Sequence, residues 1–185
     1  RDMIEIGDQR RPDLFSLQIK RPESLATSVL EVQGRNSSAG RLRIPVSVDE
    51  DALRTHKHSG INSVAIVLIH GPLHPGTELK LEKICREVGF GHVSVGHRVA
   101  PSRGYLTRLQ TTLADAALTP LLPTAPGLYM RSDGGLSQAG EWSGANAVLS
   151  GPAGGVVATA AIAKAAGIGA AFGLDMGGTS TDVCR

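Results

Sequence analysis

Gly173-Leu174-Asp175-Met176-Gly177-Gly178-Thr179-Ser180-Thr181-Asp182-Val183 is the stretch whose reading decides the fold. It opens on an apolar run, residues 170–174, short enough for a buried strand. An acid follows, then two glycines, three hydroxyl residues and a second acid. Paired glycines after a strand permit a tight turn with positive φ and leave backbone N–H groups uncovered. Such a turn is an anion cradle, in which N–H groups and the hydroxyls of Thr179, Ser180 and Thr181 point at phosphate oxygens. Asp175 at the strand end, with Asp182 beyond the turn, suits a magnesium ion held through water. A plain Gly-Gly hairpin fits the same spacing, so the residues of this stretch leave both readings open.

Working back along the chain, residues 156–166 form an alanine-rich segment whose one charge is Lys164. A helix this apolar is expected to be buried. Ser150-Gly151-Pro152-Ala153-Gly154-Gly155 reads as a glycine-rich segment before it, so free N–H groups at the helix start suit an anion. Residues 128–130 read as a strand, and Arg131-Ser132-Asp133-Gly134-Gly135-Leu136 as another glycine-rich turn. Three such turns in the last third of the chain are expected to converge on one sheet edge, where α/β folds bind ligands. That makes Gly154 and Gly155 candidate nucleotide contacts. It also makes Ser132, Asp133 and Gly134 candidates for lining the substrate.

The middle of the chain has α/β character. Residues 63–69 are a continuous apolar run rich in β-branched residues, typical of a parallel strand covered on both faces. A helix is expected over 77–88, with Leu81, Ile84, Cys85 and Val88 on one face and Gly89 as its stop. A strand at 92–95 completes a β-α-β unit. A second helix over 104–118 carries the stripe Leu106, Leu109, Leu113 and Ala117. Earlier, a short helix or strand is expected over 25–34, ending at Gly34. A strand follows through Leu42, Ile44 and Val46, then a helix around Leu53. The basic pairs Arg10-Arg11 and Lys20-Arg21 read as solvated surface. The expected organisation is a loop-rich part over 1–60, an α/β region over 61–169, and the start of a second lobe at 170–185.

Composition narrows the function. With 19 Lys and Arg against 17 Asp and Glu, the net charge of +2 is too small to argue for nucleic acid or a membrane surface. No apolar run reaches membrane-spanning length. Two distant cysteines, Cys85 and Cys184, give no disulfide framework and fit the cytoplasm. The six histidines fall into no ligand spacing for zinc. Ser150 lacks the Gly-x-Ser-x-Gly elbow of a hydrolase, and Gly151–Gly155 lacks the Gly-Lys-Ser/Thr ending of a P-loop. The chain opens on Arg1 within ordinary domain sequence and stops just past its most functional turn, so it reads as an internal piece of a longer protein.

The sequence resembles the ATP-dependent hydantoinase A and 5-oxoprolinase family, which includes acetone and acetophenone carboxylase subunits. The matching stretches are Asp2–Gly7, Arg11–Phe15, Gly60–Ala65, Met130–Leu136, Leu149–Val157 and Gly173–Val183. The last three, in this order and spacing, are specific to the family, and Met130–Leu136 and the segment 147–157 look closest to the 5-oxoprolinase branch. The resemblance implies an incomplete actin- and hexokinase-like, ribonuclease-H-like α/β ATPase fold. In such folds ATP lies between two lobes, each opening with a phosphate loop. It implies that Asp175 is catalytic and, with Asp182, positions Mg²⁺ through water. It places Gly177, Gly178, Thr179, Ser180 and Thr181 on the phosphates.

The implied reaction phosphorylates a cyclic amide so that water opens it; 5-oxo-L-proline, ATP and water give L-glutamate, ADP and phosphate. Implied partners are the small-molecule cyclic amide and a hydantoinase B-like subunit or fused C-terminal half, the complete enzyme being a homodimer. A hydantoinase or a carboxylase subunit is the alternative within the family. The family's first phosphate loop, an Asp-x-Gly-Gly-Thr pattern near the N-terminus, is absent here, and the Asp175–Asp182 segment matches the second loop. A site shared by two lobes is then incomplete, and a third reading is a truncated, non-catalytic product.

Overall fold

The computed structural model describes residues 2–7, 13, 15–19, 23–39, 41–102 and 104–185. Both basic pairs lie outside the described residues. The chain forms two compact units, Arg1–Pro120 and Leu121–Arg185. Among the described residues every sheet is two-stranded.

The first unit begins with helix α1, Asp2–Ile6. Strand β1, Gln33–Asn36, pairs antiparallel with β2, Leu42–Ser47. Here the structure corrects the expectation for 25–34. The strand does not stop at Gly34 but passes through it, with φ of 137° at a register shift. A Cβ on Gly34 would stand 2.7 Å from the Val46 Cα. Only glycine lets the strands come this close at an irregularity. Helix α2, Glu50–His58, follows. The Asp49 carboxylate caps it by accepting the Ala52 N–H at 3.0 Å.

The β-α-β unit is present. Strand β3, Ser63–Ile66, runs parallel to β4, His92–Val95, with helix α3, Pro75–Val88, between them in sequence. Pro75 opens α3 at a position where its missing N–H costs nothing. Gly89 closes it in the left-handed region, φ 99°. The short helix α4, Gly96–Val99, and helix α5, Tyr105–Leu118, complete the unit. Leu53, Ile66, Leu81, Cys85, Phe90, Val93 and Val95 form one buried cluster. Each fully buried side chain of this size contributes roughly 1.5–3 kcal/mol.

Two expectations for this unit are corrected by one polar cluster. Strand β3 ends at Ile66 rather than Ile69. The Leu68 N–H is taken by Glu78 Oε1 at 2.8 Å. The Leu68 and Ile69 carbonyls accept from Arg108 Nη2 at 2.6 and 3.0 Å. With its backbone groups engaged by side chains, the run leaves the ladder. Glu78 and Arg108 are both fully buried. Glu78 Oε2 also accepts the His97 N–H at 2.9 Å and faces His97 Nδ1 at 2.7 Å.

Arg108 lies on the buried face of α5, with Leu109, Thr112, Asp115 and Ala116. The stripe expected at Leu106, Leu109, Leu113 and Ala117 is therefore displaced toward polar residues. Those residues are buried because each finds a partner there: Asp115 accepts from Ser94 at 2.7 Å, and Thr112 donates to the Arg108 carbonyl at 2.7 Å.

The second unit opens with a hairpin of β5, Leu128–Met130, and β6, Leu136–Gln138, turned at Gly134 with φ 81°. Tyr129 stacks on Trp142 with ring centroids 4.7 Å apart. Helix α6, Gly144–Ala147, precedes helix α7, Ser150–Ala165; strands β7, Gly173–Met176, and β8, Thr181–Cys184, form the final hairpin.

The structure corrects the reading of α7 twice. The helix starts at Ser150, so Gly154 and Gly155 are inside it rather than in a loop before it. Pro152 is tolerated because it falls in the first turn. None of the residues of α7 is buried, although the segment is apolar nearly all round. Among the described residues all buried apolar side chains belong to the first unit. Besides α7 the second unit holds two small hairpins and the one-turn helix α6, too little surface to enclose α7.

Candidate functional site

The final hairpin positions the predicted acids by its register. Asp175 stands opposite Asp182, Gly173 opposite Cys184, and Leu174 opposite Val183. Opposed residues share a face of the ladder, and the faces alternate. Asp175, Asp182, Gly173 and Cys184 therefore share the face that meets α7. Leu174, Met176 and Val183 share the other face and are about 70% exposed, at 68%, 74% and 68%. Asp175 and Asp182 are themselves exposed, although they share the face that meets α7; only Gly173 and Cys184 are half-buried on it.

Gly173 lets α7 lie on this face, whereas Cβ atoms on Gly155 or Gly154 would make ordinary contacts. A Cβ on Gly155 would come 3.4 Å from Asp175 Oδ2, and one on Gly154 would come 3.9 Å from the Met130 Cγ. A Cβ on Gly173 would collide with the Thr159 hydroxyl and the Cys184 thiol. Cys184 Sγ lies 3.7 Å from Thr159 Oγ1. Between helix and hairpin is a cavity of about 290 Å³, lined in part by Pro152, Gly155, Thr159, Asp175, Asp182 and Cys184. This is just below the usual size of small-molecule cavities.

The turn departs from one expectation. Gly177, Gly178, Thr179 and Ser180 make a longer loop, closed by the Gly177 N–H to Ser180 carbonyl bond at 2.9 Å. Neither glycine has positive φ. The reversal is spread over more residues than a two-residue turn, so no single one needs the left-handed region. Gly178 has open space where a Cβ would be. The hydroxyls of Thr179, Ser180 and Thr181 make no side-chain hydrogen bond among the described residues, which leaves them free for a ligand.

The three glycine-rich segments come together around α7 rather than along one sheet edge. Gly134 meets it at Val157, where a Cβ would stand 3.1 Å from Cγ2; Met130 meets Gly154, and Asp175 meets Gly155. The Ser132 and Asp133 side chains are already engaged. Ser132 Oγ donates to the Asn146 carbonyl at 2.7 Å and accepts the Leu149 N–H at 3.0 Å. Asp133 pairs with Arg131 at 2.7 Å and accepts the Gly135 N–H at 3.0 Å. At the start of α7 the free N–H groups are fewer than expected, because Pro152 has none and the Ala153 N–H goes to the Leu149 carbonyl at 3.0 Å.

Sequence reading missed Thr159, which lines the same cavity as Asp175 and Cys184. The signal was Gly173 at the start of the strand, a position where a side chain would have been expected and only a hydrogen fits. Histidines play packing roles in the first unit: His97 on Glu78, and His92 Nε2 on Ser94 Oγ at 2.9 Å. No group of three or more His, Cys, Asp or Glu suited to a metal occurs among the described residues.

The family model described as hydantoinase/oxoprolinase N-terminal region matches residues 1–89, and the hydantoinase/oxoprolinase model matches residues 100–185. The chain belongs to the hydantoinase/oxoprolinase family. It is 35% identical to 5-oxoprolinase of Saccharomyces cerevisiae and 34% identical to 5-oxoprolinase 1 of Arabidopsis thaliana. Each match takes in all of this chain and 18% of the relative, so the chain spans under a fifth of their length. The yeast match runs over 230 residues against the 185 of this chain. The longer protein thus has residues inside the matched region with no counterpart here.

The structure is similar to an ATP-dependent caprolactamase from Pseudomonas jessenii, with a TM-score of 0.74 at 25% identity over 98% of this chain and 30% of that one. It is also similar to a nucleotide-free acetone carboxylase, with a TM-score of 0.67 at 24% identity over 83% and 25% of the respective chains. The family's α/β ATPase fold is therefore present here in part, as the sequence led us to expect.

Proposed function

We propose that this chain is part of an ATP-dependent hydrolase of cyclic amides, with 5-oxo-L-proline as the first substrate to test. The observation that carries the reading is the Asp175–Asp182 pair held against Gly155, beside a loop with three unengaged hydroxyls. Its support is the identity to 5-oxoprolinases over the whole chain.

Mg²⁺ fits this donor set. Two carboxylates directly opposed across a hairpin repel one another unless a cation lies between them, and Mg²⁺ takes one or two carboxylates with water and phosphate oxygens. Asp175 and Asp182 would hold it, and it would offset charge on the transferring phosphate. Gly177, Gly178 and Thr179 cradle the β- and γ-phosphates, and Ser180 and Thr181 add hydroxyl donors. Gly155 takes part by facing Asp175 from α7. Positioning of phosphate supplies most of phosphoryl-transfer catalysis. The amide oxygen attacks the γ-phosphorus and ADP leaves; one water adds to the activated ring carbon and the ring C–N bond breaks, giving an acyl phosphate, which a second water hydrolyses to phosphate and glutamate.

The 185-residue chain holds one phosphate loop, so it is inactive alone. The complete enzyme adds a first loop and a hydantoinase B-like subunit or fused half, and works as a homodimer. The test is ADP release by the longest polypeptide encoded around this chain, with Mg²⁺ and 5-oxo-L-proline, hydantoin or caprolactam. Turnover dependent on one of these amides supports the proposal. Turnover that needs a ketone and bicarbonate instead would move the chain to the carboxylases.

A further inference from the structure

Ser132 stands in the turn between β5 and β6, and all three of its short hydrogen bonds go to the segment that leads into α7. Its N–H and its Oγ–H both reach the Asn146 carbonyl, each at 2.7 Å. Its Oγ accepts the N–H of Leu149, the residue that caps α7, at 3.0 Å. Leucine has no polar side chain with which to cap the helix itself, and no side-chain cap bond forms there. The task of fixing the first turn thus falls to a residue 17 positions earlier in sequence.

From the Ser132 contact onward, α7 meets the rest of the unit at successive points along its first turns, tightest at Val157. Gly134 in the same turn packs against Val157, Met130 against Gly154, and Asp175 against Gly155. The Ser132 turn lies on one side of the helix start and the acidic hairpin faces the same helix one turn on. A change in where α7 begins would change where Gly155 stands relative to Asp175.

We infer that Ser132 is a positioning residue for the Asp175–Asp182 site: it fixes the start of α7 and so holds Gly155 against Asp175. This goes beyond lining a substrate. The inference rests on the proposed phosphate and metal role only for its functional consequence, since the positioning itself concerns residues of this chain. The Ser132 hydroxyl is engaged by protein at both its donor and an acceptor site, which suits a brace better than a ligand contact.

The experiment uses the full 185-residue chain, isotope-labelled, as wild type, Ser132→Ala, Ser132→Thr and Asp175→Asn. Amide exchange at Leu149 reads the brace. The Gly155 amide and Asp175 carboxyl resonances read the site, and a Mg²⁺ titration reads its affinity. In Ser132→Ala, Leu149 exchange rises about tenfold, as expected for one lost hydrogen bond. The Gly155 and Asp175 resonances move and Mg²⁺ binds several-fold more weakly, while Val95 and Arg108 resonances in the first unit stay in place. Ser132→Thr keeps the hydroxyl and restores both resonances. If Ser132→Ala frees Leu149 yet leaves Gly155 and Asp175 at their wild-type positions, the inference is overturned. If instead Asp175→Asn leaves Mg²⁺ affinity unchanged, the metal reading fails while the resonance shifts still decide the role of Ser132.

Discussion

Asp175 and Asp182 face one another across the β7–β8 ladder, on the side of the hairpin that lies against Gly155 of α7. Their closeness to a glycine rather than to a basic side chain gives the account its first expectation. Neutralising one acid relieves like-charge repulsion in the absence of metal. Asp182→Asn therefore leaves the chain as stable as wild type, or more so by up to about 1 kcal/mol, in buffer with chelator. Saturating Mg²⁺ reverses the order, because only wild type gains from binding. Thermal melts with and without Mg²⁺ check both signs.

Gly173 is the packing point between hairpin and helix. A methyl group there meets the Thr159 hydroxyl and the Cys184 thiol. Gly173→Ala is expected to destabilise the α7–hairpin packing by about 1–3 kcal/mol, the usual cost of overpacking. Amide exchange across β7 and β8 should accelerate while the first unit is unaffected.

In the first unit, Glu78 ties the ends of β3 and β4 to α3 from a fully buried position. Glu78→Leu strands the N–H groups of Leu68 and His97 and should cost about 3–5 kcal/mol. Gly71→Ala, whose Cβ would collide with the Glu78 carboxylate, should weaken the same unit. Urea unfolding read through first-unit resonances measures both.

Acid should weaken this unit in two stages. Burial pushes the His92 imidazole below its usual pKa; Asp115 opposes the shift and Arg86 adds to it. The unfolded chain then binds more protons just below about pH 6.5, so stability falls as pH drops through that region. Glu82 follows at lower pH. Burial raises its pKa, but hydrogen bonds and charge from Arg86 and Arg98 outweigh this and leave it lowered. Its contribution is present above the usual carboxylate range and is lost as pH falls through the lowered value. Urea midpoints measured from pH 8 to 3 should show both stages, with His92→Gln removing the first.

The two thiols should differ in reactivity. Burial and the nearby Glu82 push the Cys85 thiol up to about 11, and the side chain is 4% exposed. Cys184 is half-buried beside Thr159. Alkylation at pH 8 should label Cys184 within minutes and Cys85 only after unfolding, as followed by peptide mass spectrometry.

Much of the fold was legible where side-chain periodicity and backbone chemistry agreed. The β-branched run after Asn62, the apolar face of α3 and the stop at Gly89 gave the β-α-β unit without a structure. The final hairpin was legible for a similar reason: an apolar run, paired glycines and a return run rich in hydroxyls mark strand, turn and strand. The buried face of α5 was not legible, because Arg108, Thr112 and Asp115 are buried by partners distant in sequence. The start of α7 was hidden by Pro152 and the three glycines Gly151, Gly154 and Gly155, which read as a loop although proline suits a first turn. Its exposure could not be foreseen from its own residues, since burial depends on what surrounds a helix rather than on its composition.

The central claim is that Asp175 and Asp182 serve magnesium-dependent phosphoryl transfer to a cyclic amide. The most direct measurement is the ratio of glutamate to ADP formed from 5-oxo-L-proline by the longest encoded polypeptide, as wild type and Asp175→Asn. The account predicts equal amounts of the two products, none without Mg²⁺, and a loss of about 10²–10³-fold in turnover for Asp175→Asn. Glutamate formed without ATP, or full turnover in Asp175→Asn, would contradict it.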